Sequence, residues 1–259
     1  MNHNIEHLNH RIKLMTISRK VAIFCGCILL VLLVCPMVTA YDDRAVQYFN
    51  DGNNFVKLGQ YSDAIASYDK ATAIDPTYAE PWYNRGVALN ALGQYSDAIA
   101  SYDTAIAINP NAYEVWYNRG TAQLNLVRYS DALASFDQTV ALNPNFAAAW
   151  YNRALALGYL GRNSDAVASC DKAIAINPNF AEAWNTRGVA LGALGQYTDA
   201  VASYDKAIAI NPNFAEAVNN RKIALEKQTQ PTPLLYAPIG ALILMTGIAV
   251  WSRRRAPLK

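Results

Sequence analysis

The sequence predicts an all-α solenoid in which one helix-turn-helix unit of 34 residues occurs five times in succession. Two residue types mark that period without a gap: tryptophan at Trp82, Trp116, Trp150 and Trp184, and proline at Pro76, Pro110, Pro144, Pro178 and Pro212. The blocks align as 45–78, 79–112, 113–146, 147–180 and 181–214, which we number repeats 1 to 5. Self-similarity at a period of this length is typical of stacked repeat architectures.

The first helix of each unit is illustrated by repeat 2. Its apolar residues recur at helical spacing, at Trp82, Val87, Ala88, Leu89 and Leu92. Gly93 follows, and glycine readily takes the left-handed conformation that ends a helix. We therefore predict a first helix that ends at this glycine.

The second helix has its own start and stop signals. Ser96 or Asp97 is expected to cap it, and the same aspartate recurs as Asp63, Asp131, Asp165 and Asp199. Its buried stripe is Ala98, Ile99, Tyr102, Ala105 and Ile106. Asn109-Pro110 ends it, because proline disfavours helix in the residue before it. Since one helix pair cannot bury its apolar face alone, the pairs must stack.

These residues resemble the tetratricopeptide repeat family. The family pattern of a Trp-like residue, a small residue, alanine, an aromatic, alanine and proline falls in repeat 2 on Trp82, Gly86, Ala98, Tyr102, Ala105 and Pro110. The resemblance covers 45–214 and implies a right-handed helix-turn-helix solenoid. Residues 215–228 are interpreted as the first helix of a sixth repeat that serves as a solvated cap.

Repeats 3 and 4 depart from the pattern. Repeat 3 has Val127 where the others have glycine, and Thr139 where they have alanine. Repeat 4 has Ala154 for glycine, and Asn163 and Cys170 at two tyrosine positions. We therefore expect repeat 4 to be the most weakly packed unit, with Cys170 as a buried core thiol.

The charges and the rare residues exclude several functions. The net charge of +2 combines +3 in residues 1–40, +4 in 229–259 and −5 in 41–228. An acidic middle lacks the basic stripe that nucleic-acid binding requires. Residues 41–228 contain no histidine and one cysteine, so we predict a non-catalytic chain there, without a metal, a cofactor or a small-molecule substrate.

The N-terminal segment, 1–40, is predicted to be a signal peptide. Residues 21–40 carry no charge, follow the basic pair Arg19-Lys20 and end in the small-residue pattern Val38-Thr39-Ala40. Cleavage is expected after Ala40. The alternative is an uncleaved anchor, because an apolar segment of this length also spans a bilayer.

The C-terminal segment is predicted to be a membrane anchor. A short linker, 229–233, leads to the uncharged stretch 234–251, which we interpret as a transmembrane helix. The basic tail 252–259 should stay cytoplasmic by the positive-inside rule, which leaves the repeats outside the membrane. The alternative is a sorting tail that is removed and replaced by another anchor.

The resemblance implies that the first helices line a concave groove in which partners dock. Adjacent tyrosines and asparagines recur there, and Thr186 interrupts the asparagine row: the candidate contacts are Asn50, Tyr83, Asn84, Tyr117, Asn118, Tyr151, Asn152 and Asn220. In some members an asparagine ladder holds the backbone of an extended peptide. The alternative is that these columns are shared because the repeats are duplications. We expect the recurring arginines (Arg85, Arg119, Arg153, Arg187 and Arg221) to pair with repeat acids such as Asp97 or Asp103.

Two functions are compatible with these patterns. The first is a membrane-tethered scaffold outside the cell that binds a protein or an extended peptide in its groove. The second is a structural envelope protein whose solenoids associate laterally without a groove ligand.

Overall fold

The computed structural model describes residues 42–229, in which eleven α-helices and no strands are present. The helices are α1 (Asp43–Lys57), α2 (Tyr61–Ile74), α3 (Ala79–Ala91), α4 (Tyr95–Ile108), α5 (Tyr113–Asn125), α6 (Tyr129–Leu142), α7 (Ala147–Tyr159), α8 (Asn163–Ile176), α9 (Ala181–Ala193), α10 (Tyr197–Ile210) and α11 (Ala215–Thr229). Repeat 1 thus holds α1 and α2, each later repeat holds the next pair, and α11 follows repeat 5. The all-α prediction is confirmed for this part of the chain.

The helices form two layers. Each helix packs against its neighbours in sequence, and successive first helices also touch one another, as α1 does α3 and α3 does α5. The first helices therefore form the inner layer of the stack, which is the groove side.

The tryptophans and prolines that mark the period are in contact with each other. The indole Nε1–H of Trp150 donates a hydrogen bond of 2.8 Å to the carbonyl oxygen of Pro144, six residues earlier. The same bond joins Trp116 to Pro110 at 2.9 Å. Each tryptophan thereby ties its helix to the preceding inter-repeat turn, which explains why both residue types recur with one period.

The turn inside each repeat is closed as the sequence predicts. Gly93 has φ of 75°, and the N–H of Gln94 donates to the carbonyl oxygen of Leu89 at 2.9 Å. This left-handed stop satisfies carbonyls at the end of α3. In repeat 3 the same position is Val127, which takes φ of 62°, a conformation that is strained for a β-branched residue.

The predicted capping of the second helices is wrong. Helix α4 begins at Tyr95, and its N-cap residue is Gln94, which makes no side-chain capping bond. Asp97 therefore lies inside the first turn, where its carboxylate faces the positive end of the helix dipole. The aspartate column is structural, but it acts from the third helical position and not from the cap.

The two helices of a repeat approach closely through a glycine. A Cβ added to Gly86 would lie 2.5 Å from Cε1 of Tyr102, whose ring is 1% exposed. The same contact recurs at Gly52, Gly120 and Gly188, with Tyr68, Phe136 and Tyr204. Repeat 4 has Ala154 and Cys170 instead, and both are fully buried.

The recurring arginines join successive repeats. Arg85 Nε lies 2.7 Å from Asp69 Oδ1 on the previous repeat, and its Nη1 donates to Ser101 Oγ at 2.7 Å. The other pairs are Arg119 with Asp103, Arg153 with Asp137, Arg187 with Asp171, and Arg221 with Asp205. The expected pairing with repeat acids is therefore confirmed for the column that contains Asp103, and not for the column that contains Asp97.

The predicted flanking segments fall mostly outside the described residues. These are the signal peptide 1–40, the transmembrane helix 234–251, the tail 252–259 and most of the linker 229–233. Within residues 42–229, none of the helices has the length and apolar character needed to cross a membrane. The capping helix, predicted over 215–228, extends to Thr229.

Candidate peptide-binding groove

The groove-side tyrosines are half-buried and pack against the last residue of their own repeat, which lies just before the first helix of the next repeat. The ring centroids of Tyr117 and Phe146 are 4.9 Å apart, and those of Tyr151 and Phe180 are also 4.9 Å apart. At Tyr83 the corresponding residue is Ala112, and a cavity of about 260 Å³ lies there. Absence of one aromatic ring thus opens the groove floor between repeats 2 and 3.

The asparagines reach back by one repeat. Asn118 Nδ2 donates to the hydroxyl of Tyr83 at 2.9 Å, and Asn152 Nδ2 donates to that of Tyr117 at 3.1 Å. Among residues 42–229, the side-chain oxygens of these two asparagines accept no hydrogen bond and are not sealed from solvent. The ladder therefore offers acceptors to a ligand, while its donors stabilise the stack.

The two ends of the ladder differ from its middle. Phe49 has no hydroxyl, so Asn84 Nδ2 donates instead to Asn53 Oδ1 at 2.8 Å. Asn220 Nδ2 donates to Asn185 Oδ1 at 3.3 Å, because asparagine replaces the tyrosine there. Asn50 is exposed on α1. The structure thus places the predicted asparagines on the first helices, but their hydrogen-bond partners at the two ends of the ladder differ from those in its middle.

The groove tyrosines are neutral at physiological pH. Burial raises the pKa of Tyr117, and its hydrogen bonds with Asn152 and Thr121 offset part of that rise. Burial also raises the pKa of Tyr151, which bonds Thr186 at the interruption of the ladder and lies near Glu182 and Glu216. Each hydroxyl therefore stays protonated and keeps both donor and acceptor capacity.

An acidic column lies beside the tyrosines and was missed in the sequence analysis. Glu80, Glu114, Glu182 and Glu216 share one position in the first turn of α3, α5, α9 and α11, and all four are exposed. Their recurrence in the sequence at intervals of 34 or 68 residues is a pattern from which they could have been predicted. They give this side of the stack a negative charge.

One cavity lies between repeats 4 and 5. It has a volume of about 410 Å³ and is open to solvent. Its polar lining includes Asn163, Asn185, Thr186 and Glu216, and its apolar lining includes Leu155 and Val189. Ala154 and Cys170 are fully buried, and Ala154 lines the cavity together with the core residues Ala166 and Ala190. The weak packing expected of repeat 4 therefore occurs on the groove side of its interface with repeat 5 and reaches core alanines.

The arrangement as a whole defines a helical-repeat solenoid with an open polar and aromatic groove. Family models described as "TPR repeat" and "Tetratricopeptide repeat" match residues 52–93, 79–112, 117–179 and 181–214. The chain belongs to the tetratricopeptide repeat family. No curated protein matches the chain.

Solved structures with the same fold are numerous. One is YrrB, described as a TPR protein with an unusual peptide-binding site: identity is 25%, the match covers 71% of this chain and 94% of YrrB, and the TM-score is 0.65. A second is MamA, with 26% identity, 64% and 96% coverage and a TM-score of 0.61. MamA 41-end from Desulfovibrio magneticus RS-1 is 23% identical over 68% and 99%, with a TM-score of 0.64, and shows the fold alone.

Proposed function

We propose that this chain is a non-catalytic scaffold, displayed outside a membrane, that binds a protein or an extended peptide in its groove. The observation that carries the proposal is the row of half-buried tyrosines bonded to asparagines with open side-chain oxygens. An extended peptide presents backbone N–H groups at regular intervals, and these side-chain oxygens can accept hydrogen bonds from them. The tyrosine rings supply rigid amphipathic contact area of the kind that dominates binding interfaces.

Two further features support a ligand in the groove. Cavities of about 410 Å³ and about 260 Å³ open beside this row, so side chains of a bound peptide have places to enter. The likeness to YrrB, which is described as having a peptide-binding site, supports the same class of partner.

A second candidate is lateral association of the solenoids, as in a structural envelope protein. The observation that favours it is a row of exposed leucines at the turn inside the repeats: Leu58, Leu92, Leu160 and Leu194 are 72%, 43%, 37% and 40% exposed. These side chains lie at the ends of the first helices, so their substitution separates this candidate from groove binding.

The groove is tested by replacing its asparagines. The variant carries Asn84→Ala, Asn118→Ala and Asn152→Ala, and proteins are crosslinked to it in the native membrane. We expect the crosslinked partner to be lost. An unchanged partner profile would show that the groove is not the binding surface, and loss on substituting the exposed leucines instead would favour lateral association.

The matched control replaces three other asparagines. Asn111, Asn145 and Asn179 are exposed in the inter-repeat turns, where their backbone N–H groups, not their side chains, make the local bonds. Their triple replacement by alanine removes the same groups without touching the groove, and should leave crosslinking unchanged. Helical content by circular dichroism must be equal in both variants, because the groove asparagines also bond the tyrosines.

The membrane topology is tested separately. The basic flanks of the chain support display of the repeats outside, with a C-terminal helix as the anchor and the tail in the cytoplasm. Protease added to intact cells should therefore digest residues 42–229. Protection of the repeats until the cells are opened would refute this placement.

A further inference from the structure

The cavity between repeats 4 and 5 lies where three tyrosines of the preceding interface are replaced by smaller residues. Two of these replacements, at 163 and 185, interrupt tyrosine columns, whereas Tyr159 is itself the exception in a column that holds Ala91 and Asn125. At the preceding interface Tyr129 and Tyr159 stack, with ring centroids 4.5 Å apart and planes 13° apart. One period later these positions are Asn163 and Ala193, and the groove tyrosine Tyr151 is followed by Asn185. All three smaller residues line the cavity. It is therefore a local feature of this interface and not a general property of the stack.

The cavity combines an apolar wall with one carboxylate. Leu155, Val189 and Ala193 are among its apolar residues, and Tyr159, which is 63% exposed, stands among the lining residues. Glu216 is its one acid, and no lysine or arginine of residues 42–229 lines it. A volume of about 410 Å³ is within the range of roughly 300–1,000 Å³ that ligand pockets occupy.

The carboxylate is held in place by a buried amide. Asn185 is 4% exposed, and its Nδ2 donates to Glu216 Oε1 at 3.0 Å. Its Oδ1 in turn accepts the bond from Asn220. Because both groups of the amide are engaged, Asn185 fixes the position of Glu216 beside the cavity and does not itself await a ligand.

We propose that this cavity receives an arginine side chain of the partner peptide, with the guanidinium on Glu216. An arginine has an apolar stem that can lie along Leu155 and Val189 and a planar cation that pairs with a carboxylate. The exposed ring of Tyr159 offers a face for stacking of the same cation. The inference rests on groove binding as proposed above and specifies the chemistry of the partner.

The charge distribution favours arginine over an aromatic side chain. An apolar occupant would bury the Glu216 carboxylate against a group that cannot pair with it, which is costly. The remaining groove acids, Glu80, Glu114 and Glu182, extend the same negative charge along the first helices. The partner segment is therefore basic and extended, with an arginine at the point that reaches repeats 4 and 5.

The test uses peptides selected on the full chain. A random library of 12-residue peptides is displayed and selected against the purified chain, and a recovered sequence is synthesised with a fluorescein label. Its arginine is then replaced by citrulline, which keeps the shape and removes the charge. We expect arginine to be enriched in the library, and the citrulline peptide to bind about tenfold more weakly in fluorescence anisotropy.

Two variants assign that arginine to the cavity. Ala193→Tyr restores the tyrosine of the preceding repeat and fills the space, and Glu216→Gln removes the charge but keeps an oxygen for Asn185. Both should weaken the arginine peptide about tenfold, and on either variant citrulline should cause no further loss. The matched controls Ala91→Tyr and Glu80→Gln change the same columns in repeat 2, away from the cavity. They should weaken the arginine peptide by much less than tenfold, and on both of them citrulline should still cause its full loss.

The outcomes separate this inference from the proposed function. Peptides whose binding depends on Asn118 and Asn152, but not on arginine or on Ala193→Tyr, would overturn the arginine site and leave groove binding intact. Equal loss in the repeat 2 controls would assign the effect to general groove charge, and would also overturn the site. Failure to recover any peptide that depends on the groove asparagines would overturn both proposals.

Discussion

Repeats 2 and 4 fill the same interface between their two helices in different ways. In repeat 2, Gly86 leaves room for the ring of Tyr102, and an added Cβ would lie 2.5 Å from it. In repeat 4 the corresponding pair is Ala154 and Cys170, and both residues are 0% exposed. The volume lost from one helix is partly replaced on the other. The core of a duplicated repeat can therefore diverge when both partners change together.

The groove surface of the same repeat shows no such compensation. Asn163 in repeat 4 and Ala193 in repeat 5 are both smaller than their stacked counterparts Tyr129 and Tyr159, and a cavity remains. A core void forfeits contacts on every side, whereas a surface void fills with water. This difference explains why paired changes keep Ala154 and Cys170 buried while unpaired changes at the groove persist.

The largest effect on stability is expected when repeat 2 receives only one residue of the Ala154 and Cys170 pair of repeat 4. Tyr102→Cys leaves Gly86 opposite an empty space, and we expect the free energy of unfolding to fall by about 3 kcal/mol, as for other large-to-small core substitutions. Adding Gly86→Ala should recover part of this loss. Alone, Gly86→Ala should cost about 1–3 kcal/mol, because its Cβ overlaps the tyrosine ring.

Urea unfolding of both single variants and the double variant gives the coupling between the two positions. The coupling should be favourable and at least about 1 kcal/mol, as is usual for residues in direct contact. If the losses of unfolding free energy in the two single variants simply add in the double variant, the packing of the glycine and that of the aromatic ring are independent of each other. Ala100→Gly, at an exposed position inside α4, is a control for the general cost of glycine in a helix.

The repeats themselves were predictable from the sequence, because each unit carries its own signals. The glycine turn at Gly93 and the proline at Pro110 act locally, and periodicity repeats the same evidence five times. Capping was mispredicted because Asp97 is a good cap residue and also suits the first turn of a helix. Its true position depends on where the backbone turn begins, and Gln94, which carries no cap signal, decides that.

The groove was predictable as a column of residues but not as a surface. The sequence placed Asn118 and Asn152 correctly on first helices, yet their bonds to tyrosines of the previous repeat depend on how the repeats stack. The cavity depends on three positions from two repeats, of which Asn163 alone had been noted as a departure. Its volume follows from packing distances, which no one-dimensional pattern contains.

A smaller effect is expected from pH, and it distinguishes repeat 4, which has Cys170, from repeat 5, which has Tyr204 at the same position. Burial, with a smaller contribution from Asp171, raises the pKa of the Cys170 thiol to about 12, and burial raises the pKa of Tyr204 to about 12. The unfolded chain therefore loses these protons first, and stability falls as pH rises. The loss begins near pH 9 for the thiol and near pH 10 for the tyrosine, because these are close to their unfolded pKa values.

Between pH 9 and pH 10 the thiol of repeat 4 should cost about 1 kcal/mol of stability, because the thiol of the unfolded chain goes from about half ionised to almost fully ionised over that range. Cys170→Ala should abolish that slope relative to the parent chain, although its stability at pH 8 is lower. The measurement is urea unfolding at pH 8, 9 and 10 under reducing conditions. Equal slopes in the two proteins would mean that Cys170 is ionised as readily when folded as when unfolded.

The smallest effect concerns an exposed ion pair at the turn inside repeat 4. Arg162 Nη2 lies 2.6 Å from Asp165 Oδ2, whereas the corresponding pair in repeat 2 is Gln94 and Asp97. Both partners in repeat 4 are about half exposed, so water and salt screen their attraction. Arg162→Gln should therefore cost no more than about 0.5 kcal/mol, and this cost should vanish in 1 M salt. Gln94→Arg should give a gain of the same size in repeat 2, measured by thermal unfolding. A larger, salt-resistant cost would show that Arg162 stabilises the turn through its packing and not through its charge.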